Sequence, residues 1–299
     1  MPYVLRFMFL MAIIITLCTP LPSFAQTHQQ KILIGILPEM NVFKQSQRFK
    51  LLGEYISQQI GVTVEFTILS RYGNLIERFT TEKMDGAFFG SFTGAMAIKK
   101  LGVVPLARPV NLDGTSTYHG YLFVRKDSGI KGIKEMKNKK IVFVEKATTA
   151  GYLFPLAYLR DNGIQDPHHF FSESFFSGSH DGAISAVLNR KADVGAAKHS
   201  IYDRMRKDNP RVDRELVILA ESAKVPSNGL CVRSGLDESL KNKLKAVLLS
   251  LHTNPDGKLV LNQFGAIKFI ETATKDYLPV FEMAKRAGID ISTYDSRNR

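Results

Sequence analysis

The sequence predicts an α/β protein of two lobes, each built on a mostly parallel sheet flanked by helices. Three observations carry that prediction. Short apolar runs of strand length alternate with segments of helical period along almost the whole chain. Runs such as Lys31–Leu37 and Ile141–Val144 are nearly continuous in apolar residues, as expected of strands covered on both faces. Beyond the first 25 residues about 270 remain, which is long for one such sheet and suits two.

Lys31–Leu37 is the first strand. Phe49, Leu52, Ile56 and Ile60 then recur on one helical face, and Gly61 closes the helix. Val62, Val64, Phe66 and Ile68 alternate as a second strand. Leu75, Ile76 and Phe79 suit a short helix, Gly86–Phe89 a third strand, and Gly94–Lys100 a helix capped by Ser91 or Thr93. Strand Ile141–Val144 precedes a helix from about Gly151 to Asp161. A strand near Phe175, a helix Ala183–Asn189, and strands Asp193–Ala197, Leu216–Ala220 and Gly229–Val232 follow. Helices are expected to dominate from Glu238 to the end. Pro155 clashes with a helix interior, so it marks a kink or the start of the main helix after a single separate turn.

The N-terminus reads as an export signal. Arg6 is the one charge in residues 1–25; an apolar run Phe7–Leu17 follows, then Pro20, Pro22 and Ser23-Phe24-Ala25. The apolar run is short for a membrane span. Cleavage after Ala25 leaves Gln26 first. Cys18 raises a lipoprotein alternative, against which Leu17 is bulky where such motifs want a small residue. Removing the signal leaves Cys231 as the one cysteine, so no internal disulfide can form, and a chain of this size can bury a core without one. The net charge of +12 becomes +11 once Arg6 is subtracted. The lysines are scattered, with no arginine-rich tract, zinc spacing or aromatic–basic signature, so no nucleic-acid partner, metal or cofactor is expected. The charge suits solvated faces and a general attraction of anions.

The segment most suggestive of chemistry is Thr148-Thr149-Ala150-Gly151-Tyr152-Leu153-Phe154-Pro155, where a strand hands over to a helix. The first N–H groups of a helix lack intrahelical partners and sit at the positive end of its dipole, so an anion can bind there. Threonine hydroxyls add donors, and Gly151 permits close approach of backbone to ligand. An ordinary threonine N-cap fits the same residues.

Taken with Gly35-Ile36-Leu37-Pro38, Arg71-Tyr72-Gly73-Asn74, Asp85-Gly86-Ala87-Phe88-Phe89-Gly90-Ser91, Tyr121–Ile130, Ser177-Gly178-Ser179-His180-Asp181 and Ala192–Ala196, the order and spacing resemble the phosphate/phosphite/phosphonate substrate-binding proteins of bacterial ABC transporters. The resemblance covers nearly the whole mature chain. It implies a type II periplasmic binding protein fold with two crossing strands, near Arg125 and Pro226. The lobes implied are 26–125 with 227–299, and 126–226, after a signal peptide 1–25. It also implies a periplasmic location, a small oxyanion ligand in the interlobe cleft, and a membrane permease as partner. The family's Ser-Thr-Ser-Gly turn, which grips the phosphonyl oxygens, falls on Thr148, Thr149, Ala150 and Gly151; Ala150 lacks the hydroxyl but keeps its N–H. The family's histidine matches His180 and its tyrosine Tyr72. A second ligand-lining tyrosine expected within Gly90–Ala95 is absent, leaving Ser91 and Thr93 as weaker candidates. Members that bind aminoalkyl phosphonates carry a carboxylate just after the return-crossing proline, where this chain has Pro226-Ser227-Asn228. Asn228 is therefore a candidate ligand residue of a different kind.

Two other functions compete. Ser179-His180-Asp181 names the members of a triad, but successive residues cannot converge on one another, and neither a Gly-x-Ser-x-Gly elbow nor a His-Glu-x-x-His motif occurs. An enzyme is not expected. The same binding lobes could instead feed a membrane histidine kinase, a role that the residues do not separate from transport.

Overall fold

A computed structural model describes residues 31–38, 42–69 and 71–298. The proposed signal segment and Cys18 lie outside the described residues. Among the described residues, no helix is long and apolar enough to cross a membrane.

Among the described residues, thirteen strands form three sheets: β1 (Lys31–Ile36), β2 (Thr63–Ile68), β3 (Gly86–Phe89), β4 (Val104–Asn111), β5 (Thr117–Tyr118), β6 (Gly120–Arg125), β7 (Lys140–Phe143), β8 (Glu173–Phe176), β9 (Val194–Lys198), β10 (Leu216–Glu221), β11 (Val225–Pro226), β12 (Gly229–Val232) and β13 (Ala266–Glu271). The six-stranded sheet runs β13-β4-β12-β3-β1-β2, the five-stranded sheet β10-β6-β9-β7-β8, and β11 pairs with β5 alone. Parallel pairing joins β1 to β2 and β3, with Ile34 opposite Gly86, and joins β7 to β8 and β9. The expected two-lobed α/β architecture is present.

The short β5–β11 ladder, Tyr118 against Val225 and Thr117 against Pro226, is where the chain passes between the large sheets. The return passage runs through Val225 and Pro226. The outgoing one does not lie near Arg125: that residue ends β6 inside the five-stranded sheet, paired with Leu216. A buried strand, Gly120–Arg125, thus belongs with the second sheet and not the first.

Each sheet packs helices on its outer face. Helices Val42–Ile60, Glu238–Ser250 and Pro255–Phe264 cover the six-stranded sheet, burying Leu52, Ile56, Leu244 and Leu248 completely. Phe49 meets Phe66, Phe88 and Phe264 edge to face, at centroid distances of 5.2, 5.2 and 5.1 Å. A second cluster around Phe123, Val142, Ile184 and Tyr202 lies under the helices of the other lobe. A third runs through the inner faces of both sheets and takes in Val280 and Met283 of helix Leu278–Arg286. Cys231 is buried on β12 beside the Tyr277 hydroxyl at 3.7 Å, and burial pushes its thiol pKa up to about 12, which leaves it inert.

The C-terminal quarter departs from the expected run of helices. Ala266–Glu271 forms edge strand β13 against β4, with Phe269 buried and Lys268 exposed. Its pairing with β4 carries a register shift between Ala266 and Lys268, and its buried residues do not alternate, so the strand leaves no period-two signal in the sequence. Pro155 opens helix Phe154–Asp161 after a separate turn of π-helix, Thr149–Leu153, closed by the Leu153 N–H to Thr148 O bond of 3.0 Å. Proline has no N–H to give the Gly151 carbonyl, and that carbonyl accepts from Val144 N–H instead, at 3.1 Å.

Candidate ligand-binding site

A small cavity of ≈ 20 Å³ lies between the two large sheets. Its walls come from the segments that follow the carboxyl ends of strands, where open α/β sheets place ligands. Tyr72 comes after β2, Ser91 and Thr93 after β3, Thr148–Ala150 after β7, His180 after β8, and Lys198 ends β9. Tyr118 and Asn228, beside the crossing ladder, complete the lining. Two helical N-termini therefore face one space: helix Ser91–Leu101 from one lobe and the Thr149–Leu153 turn from the other.

The two ends are bonded to each other. Thr149 Oγ1 accepts the N–H of Phe92 at 2.9 Å, across the lobes, and keeps its own hydroxyl proton to donate. Thr148 spends its hydroxyl proton on the Glu145 carbonyl at 2.6 Å. Both threonines are buried, and Thr148 reaches the cavity as wall. Gly151 does not line it. A Cβ there would stand 2.4 Å from Val144 Cγ2, so packing against β7's successor residue requires the glycine.

His180 opens helix His180–Leu188, whose cap is Ser179, accepting from Gly182 N–H at 3.2 Å. Asp181 lies within the helix's first turn. Lys198 N–H donates to His180 Nδ1 at 3.1 Å. In the neutral imidazole the proton is therefore on Nε2, a donor on a cavity-lining ring. The same bond and cap rule out a Ser179-His180-Asp181 relay. Ser91 and Thr93 lie within the first turn of their helix, which starts earlier than predicted and is capped by Gly90. Ser91 Oγ donates to the Pro226 carbonyl at 2.7 Å and lies 2.9 Å from Tyr118 Oη. Thr93 Oγ1 donates to Gly90 O at 3.0 Å.

The structure thus gathers Tyr72, Thr148, Thr149, Ala150, His180 and Asn228, with Ser91 and Thr93, around one space, and leaves Gly151 behind it. Sequence reasoning missed Tyr118 and Lys198. The position of Lys198 at the carboxyl end of a buried strand was the available signal. Its Nζ stands 4.5 Å from the Tyr118 ring centroid. Among the described residues, no carboxylate lines the cavity, while a lysine, a histidine and several hydroxyls do. That donor set suits a small anion with several acceptor oxygens. The volume admits little more than a water-sized group. A larger cavity of ≈ 440 Å³ shares Tyr118, Lys198 and Asn228 with it and extends past Gln45, Arg48 and Asp113. Among the described residues, no cluster of His, Cys, Asp or Glu is placed to hold a metal ion.

Comparison with known proteins agrees with this geometry. Residues 34–277 match the family described as the ABC transporter, phosphonate, periplasmic substrate-binding protein. The probable ABC transporter phosphite-binding protein PhnD1 of Prochlorococcus marinus is 26% identical over 262 residues, covering 85% of this chain and 88% of the relative. The phosphonates-binding periplasmic protein of Escherichia coli is 23% identical over 268 residues, 88% of this chain and 78% of that one. The crystal structure of the P. marinus protein with methylphosphonate shares the fold, with a TM-score of 0.73 at 24% identity over 87% of this chain and 99% of that one. A binding-protein component of an ABC phosphonate transporter from Pseudomonas aeruginosa gives 0.75, also at 24% identity, over 87% of each chain. These are binding proteins and not enzymes, and with the family matched over most of its length this chain belongs to the phosphonate-type periplasmic substrate-binding proteins of ABC transporters.

Proposed function

We propose that this protein, exported by its N-terminal signal, captures a small phosphorus oxyanion between its lobes and delivers it to the membrane permease of an ABC transporter. The observation that carries the reading is the convergence of donors on a ≈ 20 Å³ cavity without a carboxylate. Thr149 Oγ–H, His180 Nε2–H and the amides opening two helical turns offer hydrogen bonds to a tetrahedral group whose oxygens need several at once. Thr148, Ala150, Tyr72 and Asn228 shape the space around it. Phosphite, phosphate and methylphosphonate carry the several acceptor oxygens that such a donor set would satisfy. The relatives support the class: they are named for phosphite, for phosphonates and, in Mycolicibacterium smegmatis, for phosphate import. The amide of Asn228, with no carboxylate beside it in the cavity, disfavours an aminoalkyl chain.

Calorimetric titration of the mature protein with phosphite, phosphate, methylphosphonate, 2-aminoethylphosphonate and methanesulfonate tests this. At least one of the first three should bind, and 2-aminoethylphosphonate should bind more weakly than methylphosphonate. Binding of the sulfonate with no response to any phosphorus oxyanion would remove the assignment.

A further inference from the structure

The backs of the ligand-lining segments share one support, the C-terminal residues Asp290–Asn298. None of these residues lines either cavity. On the side of the six-stranded sheet, Lys100 Nζ donates to Tyr294 O at 2.6 Å, the Tyr294 ring packs on Phe92 at a centroid distance of 5.5 Å, and Ser296 Oγ donates to Gly73 O at 3.2 Å. On the other side, Tyr294 Oη donates to Lys146 O at 3.0 Å and Lys146 N–H donates to Asn298 Oδ1 at 3.0 Å. These attachment points adjoin the cavity in sequence: Gly73 follows Tyr72, Phe92 follows Ser91, and Lys146 stands just before the Thr148–Ala150 turn.

Two features show that the fit is built in. A Cβ on Gly73 would stand 2.5 Å from Ser296 O and 3.0 Å from Arg297 Cα, so the backbone of the C-terminal segment lies directly on that residue. The segment also carries local turns of its own. Asp290 Oδ1 accepts from Ser292 N–H at 2.9 Å, Asp290 O accepts from Tyr294 N–H at 2.9 Å, and Asp295 Oδ1 accepts from Arg297 Nε at 2.9 Å. Such turns lower the entropy lost when the segment docks. Glu145 adds a contact across the same seam. Burial holds its carboxyl above the usual range, and the facing amides of Gly73 and Tyr72, with Arg71, draw it back down.

We propose that Asp290–Asn298 is a positioning strap, bonded to both lobes, that holds the two halves of the binding cavity in register and slows their separation. Tyr294 is its central residue, because it touches Phe92 and Lys100 on one side and Lys146 on the other. The strap acts on the ligand through those residues, and its effect on ligand release rests on the oxyanion reading of the cavity. Because the cavity is walled from both lobes, a ligand leaves only when they part. A ligand also enters only through the parted form, so a strap that opposes parting slows dissociation and does not speed association.

Two measurements test this in the full mature protein with the variants Tyr294→Ala and Tyr294→Phe. Hydrogen exchange without ligand should be about tenfold faster in Tyr294→Ala at residues 72–76 and 145–151, with β1 and β3 unchanged. Stopped-flow binding of methylphosphonate should show dissociation about tenfold faster and association no slower than wild type. Tyr294→Phe keeps the ring contact with Phe92 but loses the bond to Lys146, so it should fall between. If Tyr294→Ala fails to fold, Tyr294→Phe decides by the same readings. Exchange at 72–76 and 145–151 unchanged from wild type in a folded variant overturns the strap. A wild-type protein that binds no phosphorus oxyanion overturns the oxyanion reading instead, and the exchange comparison still decides the strap.

Discussion

On the proposed function, Thr149 ties binding to closure at a single atom. Its Oγ1 accepts the N–H of Phe92 from the opposite lobe, so the bond exists only while the lobes are together. With the lobes parted, water can satisfy the Phe92 amide. Replacing Thr149 by valine keeps the shape, removes the donor offered to the ligand, and leaves the Phe92 amide unpaired when the cleft shuts. An unsatisfied buried amide costs about 1–3 kcal/mol, and roughly 1.4 kcal/mol is a factor of ten in affinity. Thr149→Val should therefore weaken methylphosphonate or phosphite binding about tenfold to a hundredfold by calorimetry. The ligand-free melting temperature should stay within a few degrees of wild type, because the lost bond spans the lobes and supports neither by itself. A large drop in melting temperature with affinity intact would show that the threonine is a structural cap. The residue scale also holds the clearest difference between sequence and structure. Gly151 reads from sequence as a place for close approach to an anion; in the fold, Val144 occupies the space where its Cβ would be. Sequence marks a glycine that is needed but not the neighbour that needs it.

Among elements, the second lobe is fastened by an ion cluster at the junction of β6, β10 and helix Pro210–Glu215. Arg125 Nη1 meets Glu215, its Nη2 lies 2.9 Å from Asp127 Oδ2, and Arg211 Nε lies 2.7 Å from Glu215 Oε1. Arg211, and after it Arg125, hold the Glu215 carboxyl at about 2, well below its ordinary 4.5. Arg125, and then Arg190, lower Asp127 to about 2 as well. A depressed carboxylate pKa contributes stability that is complete above the unfolded value and is lost as pH falls through the folded one. The melting temperature should accordingly fall as pH is lowered from about 4.5 toward 2. Glu215→Gln should flatten that fall and lower the melting temperature at neutral pH, where the bridge is fully formed. Parallel slopes in the two proteins would assign the acid sensitivity elsewhere. Elements buried on both faces were legible in the sequence, since β1, β3 and β7 are continuous apolar runs. Strand β4 was not, because Pro105 and Pro109 argue against an interior strand. The sheet accommodates Pro105 where the register of β4 against β12 slips. The candidate site was legible through its hydroxyl-rich turn and His180. Tyr118 and Lys198 join it through the crossing ladder and a strand end, relations set by the fold. The strap Asp290–Asn298 carries no periodicity or motif, and its role arises from what it touches.

For the whole molecule, the small cavity has a kinetic consequence. Its walls come from both large sheets, it holds ≈ 20 Å³, and Thr149 and Phe92 are bonded across it. On the proposed function, a phosphonate cannot enter such a chamber without the lobes moving apart, and the β5–β11 ladder, where the chain passes between them, is the expected hinge. The ligand then favours closure because its contacts with the two lobes are complete only there, and the shift can be no larger than that difference in binding. Solution scattering of the mature protein should show a smaller radius of gyration with saturating ligand than without it. Thr149→Val should retain the larger radius at ligand concentrations that close the wild type, and should close only when ligand is raised in proportion to its weaker affinity. Matching radii at equal occupancy would show that closure depends on the ligand and not on the threonine itself. If the wild-type radius does not change with ligand, while calorimetry shows binding, then the free protein already holds the lobes together. In that case opening is a rare fluctuation, and dissociation should slow steeply on cooling as that fluctuation becomes rarer.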